Sequence, residues 1–547
     1  MNNIEKSLIS SIINVCNNLY GEIDESIVMI EIPKDTKNGD YSTNIAMRLT
    51  KQLRKNPRII AEEIVNGLKE SLESAENIEI AGPGFINFFM KSEVLSSVIT
   101  NILKQDVNYG KSDFGKGVKY NIEYVSANPT GDLHPGHARG AAMGDSISRL
   151  MSMAGYDVTR EYYVNDAGNQ IDNLAKSIYV RYHALFDIEM DMPEDGYFGK
   201  DIIKIATDLK NENNDKYLNK PFEECFEELK ELGIAAELEK LKQDLKAYNV
   251  EFDVWTSERS LYEQQMVEKA LTKLKELDMT YELDGAVWLK TTKFNDDKDR
   301  VLVKSDGSYT YLTPDISYHL NKLDRGFDNL VDLFGADHHG YIARLKAAIQ
   351  ALGYQPDKLD VDIIQMVRMV KDGEEFKMSK RTGKAIALRD LIDEAGSDAV
   401  RYFFASRAGD TQMDFDIDMA KKQTSENPVY YAQYAHARMC SILSTASEYE
   451  LADNYDLITN DKEIQLLKHL NEFTNVVNDC AKNRAPHKMC NYIKDLAGLF
   501  HSFYGECHVI NKDNKELTSQ RLALVKASEI TMRNGLNSIG VSAPEKM

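Results

Sequence analysis

Long apolar runs are missing from this 547-residue chain: no stretch of 18 or more apolar residues occurs, so nothing in it reads as a helical membrane span. Paired cysteines are missing too. Cys16, Cys225, Cys440, Cys480, Cys490 and Cys507 form no Cys-x-x-Cys unit, which removes the usual zinc and dithiol signals. Reduced, mostly buried thiols in a cytosolic protein are the expectation. The opening residues lack the basic stretch of a signal peptide, since Asn2, Asn3 and Glu5 stand there. Ile4, Leu8, Ile12 and Val15 recur instead as one helix face. A basic surplus is also absent. The net charge of −21 argues, taken globally, against a nucleic-acid partner. The surplus is uneven, however: residues 187–278 carry 24 acidic and 13 basic side chains, and so 11 of the 21 excess negative charges. Phosphate binding depends on local patches. Lys51, Arg54, Lys55 and Arg58 form one candidate, and Lys482, Arg484, His487 and Lys488 another. Each run taken alone reads as an ordinary solvated face.

What is present is an alternation of periods. Residues 1–108 read as a small α+β unit: an opening helix, a helix around 42–68, and strand character over 77–89 broken by Gly82-Pro83-Gly84. The Gly-rich stretch 109–117 reads as a linker. From Val118 onward strands (120–125, 157–164) alternate with helices beginning near His137 and Ala167. The acidic segment at about 187–280 is helical in period and interrupts this pattern. It resumes with 285–290, 301–304, a helix from Asp315, 330–334 and a helix from Tyr341. The fold class expected is α/β: a Rossmann-like parallel-sheet catalytic domain over 109–365 with a helical insertion, and an N-terminal α+β domain. A connecting region, 366–425, leads to a C-terminal all-α helical bundle over 426–547.

The chemistry concentrates at two places. Asp132-Leu133-His134-Pro135-Gly136-His137-Ala138-Arg139 sets two imidazoles one turn apart where a strand hands over to a helix N-terminus, an anion-binding position. Far downstream, Phe376-Lys377-Met378-Ser379-Lys380-Arg381-Thr382-Gly383 places cations in a loop between Gly373 and Gly383 that can close over a ligand. His134 and His137 can donate to phosphate oxygens, Gly136 leaves room for a nucleotide, and Lys380 with Lys377 suits a departing pyrophosphate. Each motif alone has a bland reading, histidines packed in a turn and lysines wetting a surface. Other phosphate signatures fail: no Gly stands five residues before Gly383-Lys384, and Gly115-Lys116-Gly117 precedes its strand. Asp337-His338-His339 lacks a third ligand at suitable spacing and reads as a polar loop, so no metal site is expected.

Together the His-Pro-Gly-His turn and the Lys-Met-Ser-Lys loop resemble the two-part ATP grip of class I aminoacyl-tRNA synthetases. The run from Ile122 to Gly131 (Ile-Glu-Tyr-Val-Ser-Ala-Asn-Pro-Thr-Gly) closely resembles the arginyl-tRNA synthetase family. So do Tyr309-Thr310-Tyr311-Leu312-Thr313-Pro314-Asp315-Ile316, Gly335-Ala336-Asp337-His338-His339-Gly340-Tyr341 and Tyr434-Ala435-His436-Ala437-Arg438. The likeness runs from Gly39-Asp40-Tyr41-Ser42-Thr43-Asn44 to the closing Ala543-Pro544-Glu545-Lys546-Met547. Arg381 stands where many class I enzymes have Ser, which changes the loop's charge and leaves Lys380 its role.

That resemblance implies an arginine–tRNA ligase: arginine and ATP give arginyl-adenylate and pyrophosphate, and the arginyl group passes to the terminal ribose of its tRNA. Mg²⁺ would accompany ATP without a dedicated protein site, and the expected protein is a cytoplasmic monomer with no membrane partner. By resemblance, Glu123, Asn128, Tyr311 and Asp315 fall where the family contacts arginine, and His338 beside them. A guanidinium suits carboxylate partners, and two carboxylates buried without their cation would reject neutral citrulline. Glu123 also reads as a strand-end acid in a salt bridge, and Asp315 as a helix N-cap. The family further implies an N-terminal domain at the tRNA elbow, an insertion near the acceptor stem or bracing the catalytic domain, and tRNA binding before arginine activation. It also implies a C-terminal bundle reading the anticodon near Tyr430, Tyr431, Tyr434 and Met547. The rivals are a small adenylyltransferase, which needs no long helical C-terminal domain, and a tRNA-binding paralogue without catalysis, which intact His134, His137 and Lys380 oppose.

Overall fold

In the computed structural model, which describes residues 3–33, 35–376 and 386–547, a five-stranded parallel sheet organises the middle of the chain. Its strands are β1 (Lys119–Glu123), β2 (Asp157–Val164), β3 (Val254–Ser257), β4 (Asn329–Gly335) and β5 (Leu359–Ile364), in the order β5-β4-β1-β2-β3. The order reverses between β1 and β4, so the crevice beyond their carboxyl ends is the topological switch point where such sheets bind ligands. Register sets Glu123 of β1 beside Asp332 of β4. The helices that matter to the site are α1 (Pro135–Met153), α2 (Asn169–Ala184), α3 (Lys200–Asn213), α4 (Phe222–Ala247), α5 (Leu312–Asp324), α6 (Ile342–Ala351), α7 (Leu388–Ala395) and α8 (Ser397–Ala405).

Two parts of the middle region differ from the sequence reading. The acidic segment is not wholly helical: α3 and α4 pack with α2, but Val254–Ser257 returns to the sheet as β3, parallel to β2. The runs at 285–290 and 301–304 lie outside the parallel sheet. They belong to a separate antiparallel sheet of Thr280–Leu283, Ala286–Leu289 and Arg300–Val303. The reason is local. Asp284 and Gly285 both have positive φ (53° and 74°), the two-residue turn that folds a strand straight back on its predecessor.

In the first unit the helix Asn3–Tyr20, with Ile4, Leu8, Ile12 and Val15 buried, packs on the helix Pro57–Ser71, which in turn lies on an antiparallel sheet of Tyr41–Thr43, Phe85–Met90 and Ala75–Ala81. The helix expected over 42–68 is two helices, Ile45–Leu53 and Pro57–Ser71. Arg54 in the left-handed region ends the first and Asn56-Pro57 starts the second. The stretch 109–117 is packed rather than slack. Tyr109 is buried, its hydroxyl donates to the Leu470 carbonyl at 2.7 Å, and its ring stacks on Phe473 at 5.7 Å. The last third is helical: Pro428–Thr445, Asp461–Asn471, Phe473–Asn483, Pro486–Glu506 and Lys515–Ser538. Of its basic run, Arg484 bonds Asp360 and Asp362 of β5 and so ties this region to the sheet, while Lys488 bonds Asp479 within the helices. All six cysteines are free thiols, five of them buried and Cys440 half-buried. Among the described residues no helix is long and apolar enough to cross a membrane.

Helix α1 reaches the sheet because Gly144 removes its side chain there. A Cβ on Gly144 would stand 2.2 Å from the ring of Tyr124, itself backed by Phe252 at 4.5 Å. Gly144→Ala should lower stability by about 1–3 kcal/mol through overpacking, outweighing the up to about 1 kcal/mol that Ala gains in a helix. A drop in the thermal unfolding midpoint is the expected reading; a rise would mean that the contact is slack.

Candidate active site

β1 ends at Glu123, and the chain leaves the sheet through Val125 (φ +70°) and Ser126 (φ +40°). Positive φ at a β-branched residue is strained by about 1–3 kcal/mol and needs support from its surroundings. β2 gives that support: the Tyr163 N–H donates to Ser126 Oγ at 3.1 Å and the Tyr162 hydroxyl to the Ala127 carbonyl at 2.8 Å. The loop then runs to His134, the N-cap of α1.

Here two histidines do the work usually left to Ser and Glu. His134 Nδ1 accepts from the N–H groups of Gly136 (3.1 Å) and His137 (3.3 Å), while His137 Nδ1 accepts from the His134 N–H at 3.4 Å. The two rings stack at 3.6 Å. With each Nδ1 committed as an acceptor, the neutral rings carry their proton on Nε2. Burial lowers the pKa of both, that of His137 to about 3 with the neighbouring His134 assisting. The pair therefore offers neutral N–H donors at a helix N-terminus. Gly136 has a reason beyond access for a nucleotide: a Cβ there would stand 2.9 Å from the His134 ring and break the stack.

A cavity of about 1010 Å³ opens at the switch point, and Glu123, Asn128, His134, Gly136, His137, Asp315 and His338 all line it. Tyr311 does not. It is 90% exposed, because α5 begins at Leu312 and leaves Tyr311 outside its first turn, pointing to solvent. Asp315 lies inside the first turn of α5 instead of capping it. Asn128 donates to Gln170 at 2.7 Å, and His338 stands 3.6 Å from Asp337 in the short helix after β4. Lys377 and Lys380 lie outside the described residues.

The floor of the cavity is a charge cluster that sequence reading missed. Lys322, fully buried on α5, donates to Glu123 at 2.5 Å and to Asp332 at 3.0 Å. Burial opposes its charge, yet Asp332 and Glu123 more than offset this and raise its pKa. His319 donates from Nδ1 to the Asp315 carbonyl at 2.7 Å and sets Nε2 2.7 Å from Asp332. Burial works against a charged ring there too, but Asp332 wins and raises the His319 pKa. Asp332, although buried, is held well below the usual carboxylate range by Lys322 and His319. Two carboxylates thus share one ammonium, with the His319 ring against the second oxygen of Asp332. Asp315 is different: its partner is the Tyr341 hydroxyl, and burial pushes its pKa up to about 6. Glu123 is the strand-end acid in a salt bridge, and Asp315 is the cavity carboxylate matched by a hydroxyl rather than a cation. The expectation of two uncompensated carboxylates is corrected accordingly. Asp315, His319 and Lys322 recur at helical spacing, the signal that could have revealed the cluster. Tyr341 stood in a quoted motif without a role.

The comparisons bear on this geometry. Residues 98–440 match the family described as tRNA synthetases class I (R), catalytic domain. Residues 2–90 match the arginyl tRNA synthetase N terminal domain, and residues 432–547 the DALR anticodon binding domain. The chain belongs to the arginyl-tRNA synthetase family. The Arginine–tRNA ligase of Listeria welshimeri is 54% identical over 530 residues, covering 96% of this chain and 95% of the relative. Arginine–tRNA ligase 2 of Bacillus thuringiensis is 55% identical over 524 residues, with 95% and 94% covered. The arginyl-tRNA synthetase structure from Thermus thermophilus covers 100% of both chains at a TM-score of 0.76 and 21% identity, a likeness of fold. In this synthetase the class I fold, the parallel sheet and the helical C-terminal region stand as the sequence resemblance implied.

Replacing Lys322 with Met should cost about 3–5 kcal/mol, because Glu123 and Asp332 would stay buried without their cation. The loss, read as a lower unfolding midpoint, should shrink between pH 8 and pH 5 as the orphaned carboxylates take up protons. An unchanged midpoint would mean that the ammonium contributes nothing to holding the two strands.

Proposed function

We propose that the cavity at the switch point is where this arginine–tRNA ligase joins arginine to ATP, with Asp315 meeting the guanidinium and the stacked His134 and His137 meeting the phosphates. The observation that carries this reading is that one cavity holds both kinds of group: a carboxylate without a cation on one wall and neutral donors at a helix N-terminus on the other. A fixed cation with a fork of N–H donors is the partner that Asp315 lacks. Tyr341 would keep that carboxylate oriented until arginine arrives. Glu123 serves as a second acceptor, one oxygen already held by Lys322 and the other by Ser126 at 2.9 Å. Asn128 and His338 line the same space and are assigned the main-chain end of the amino acid.

In the first step a carboxylate oxygen of arginine bonds to the α-phosphorus of ATP, and the bond from that phosphorus to the pyrophosphate oxygen breaks. The Nε2–H groups of His134 and His137 and the amides of α1 stabilise the charge gathering on the phosphate oxygens. Because these donors are neutral, the positive charge for leaving pyrophosphate falls to Lys380, helped by Lys377. In the second step a hydroxyl of the tRNA's terminal ribose attacks the arginyl carbonyl and AMP leaves. Among the described residues Glu123 and Asp332 are already bound to protein cations, which supports Mg²⁺ arriving on the ATP phosphates rather than in a protein cage. Residues 1–108 are assigned to the tRNA elbow, and residues 426–547 to the anticodon. Tyr434, Arg438 and Met547 line a groove of about 1080 Å³ in the latter. Pocket, histidine grip and anticodon domain lie on one chain, which supports a working monomer; free thiols and the substrates support a cytoplasmic one.

ATP–pyrophosphate exchange, run with each amino acid in the presence of tRNA, tests the assignment, since exchange with an amino acid other than arginine would reassign the pocket. With Asp315 near pH 6, the arginine KM should rise as pH falls through that value, because the carboxylate becomes neutral. Asp315→Asn should raise KM by about 10–100-fold, consistent with losing a charge-assisted pair, flatten the pH profile and leave the ATP KM nearly unchanged. A wild-type profile in that variant would remove Asp315 from the pocket. Lys380→Ala should lower kcat of exchange by about 100-fold or more, the scale of losing one transition-state charge contact, with arginine affinity kept. Weaker arginine binding at unchanged kcat would refute the role given to the loop.

A further inference from the structure

The acidic insertion contributes more than bulk. Helix α4 runs past the loop that leads into His134 and past α7, and two residues one turn apart on it reach one each. Lys240 donates to Asp132, two residues before His134, at 2.7 Å. Asp244 accepts from Arg389 on α7, the helix that follows the Lys-Met-Ser-Lys segment, at 2.9 Å from Nε and 2.6 Å from a terminal nitrogen. Below these pairs Leu241 and Leu245 are buried in one continuous core with Leu133, Leu388 and Leu391. The start of α7 also touches the residues before His134 directly, the Leu388 N–H donating to the Leu133 carbonyl at 2.6 Å. Just past the end of α4, buried Arg401 on α8 donates to the carbonyls of Tyr248 (3.0 Å) and Asn249 (3.1 Å) and to Asp145 of α1 at 2.5 Å. Within ten residues, then, one helix and its C-terminal turn are fastened to the start of α1, to its middle and to both helices beyond the lysine loop.

We propose that α4 is a strut that sets the spacing between the two halves of the ATP grip, with Lys240 and Asp244 as its positioning residues. The inference rests on the reading of His134 and His137 as phosphate contacts and assigns the insertion a part in ATP activation. The chemistry of the Lys240 end favours this. Its ammonium is also 3.1 Å from Asp201 and 3.2 Å from Glu237, so the insertion supplies its own carboxylates to fix the lysine before Asp132 joins. Burial raises the pKa of Glu237 to about 7. Asp132 and Arg389 are themselves partly exposed, so these two contacts contribute little to overall stability but fix the loop before His134 and the start of α7 against one helix. Small misplacements of reacting groups are costly in rate.

The test uses the full-length enzyme with arginine and tRNA in ATP–pyrophosphate exchange. Lys240→Met and Asp244→Asn should each reduce kcat/KM for ATP by about three- to tenfold, the range of coupling between contacting groups, with the arginine KM within twofold of wild type. The unfolding midpoint should hold for Asp244→Asn and fall for Lys240→Met, which leaves buried Glu237 and half-buried Asp201 without their cation. Arg389→Gln should behave like Asp244→Asn, and the double variant should be no worse than either single. Fully additive losses, or a fall in the unfolding midpoint with unaltered ATP kinetics, would overturn the strut. His137→Ala separates the layers. If that variant keeps full exchange, the ATP reading itself fails. If it loses exchange while the α4 variants keep theirs, only the strut fails.

Discussion

Two carboxylates forced side by side by strand register govern this active site. Glu123 and Asp332 are paired neighbours on adjacent parallel strands, buried, and of the same sign. Such an arrangement is untenable without a cation, and α5 supplies one by driving Lys322 between them, with His319 on the far oxygen of Asp332. The cluster fixes where α5 sits, and α5 in turn carries Asp315 into the cavity. Asp315 itself meets the Tyr341 hydroxyl and no Lys or Arg among the described residues. On the reading proposed above, selectivity for a guanidinium begins as a problem of sheet register.

The same logic separates the roles of the two nucleotide motifs. A reciprocal cap uses up both Nδ1 atoms of His134 and His137, and burial keeps the rings uncharged. Stacked at 3.6 Å, two imidazolium ions would repel strongly, so neutrality is the condition for the pair to exist. Neutral donors can hold a triphosphate but cannot balance the charge of pyrophosphate as it leaves. On the proposed reading, that charge is what the cationic motif far along the chain supplies.

Much of this was legible before any coordinates. The strand at Asp157–Val164 stands at the limits its alternation predicted, and the histidine turn falls at the helix start its pattern demanded. Glu123, Asn128, His134, Gly136, His137, Asp315 and His338 share one cavity because strand ends at a switch point converge by topology. The errors have physical causes. Periodicity finds a strand but not its partner, so 285–290 was read into the wrong sheet, although Asp284-Gly285 announced a hairpin. Val254–Ser257 was hidden because four residues in an acidic, largely helical segment carry almost no periodic signal. Tyr311 was placed by motif, while exposure depends on where α5 begins. Lys322 was passed over because a lone lysine in an amphipathic helix reads as solvated unless its acidic partners, 199 and 10 residues away, are known to meet it.

An acidic synthetase for an acidic nucleic acid then becomes intelligible through where the charges are used. In the insertion many negative charges are tied up internally: Glu237 and Asp201 on Lys240, Glu231 on Arg259, Glu228 on Lys216. At the other end Arg484 and Lys488 are likewise engaged with Asp360, Asp362 and Asp479. Net charge therefore describes poorly the field a tRNA would meet. The groove containing Tyr434, Arg438 and Met547 is partly aromatic, with the Arg438 guanidinium over the Tyr504 ring at 4.4 Å. If the anticodon is read there, as proposed above, stacking and shape would carry the recognition, which needs no global positive charge.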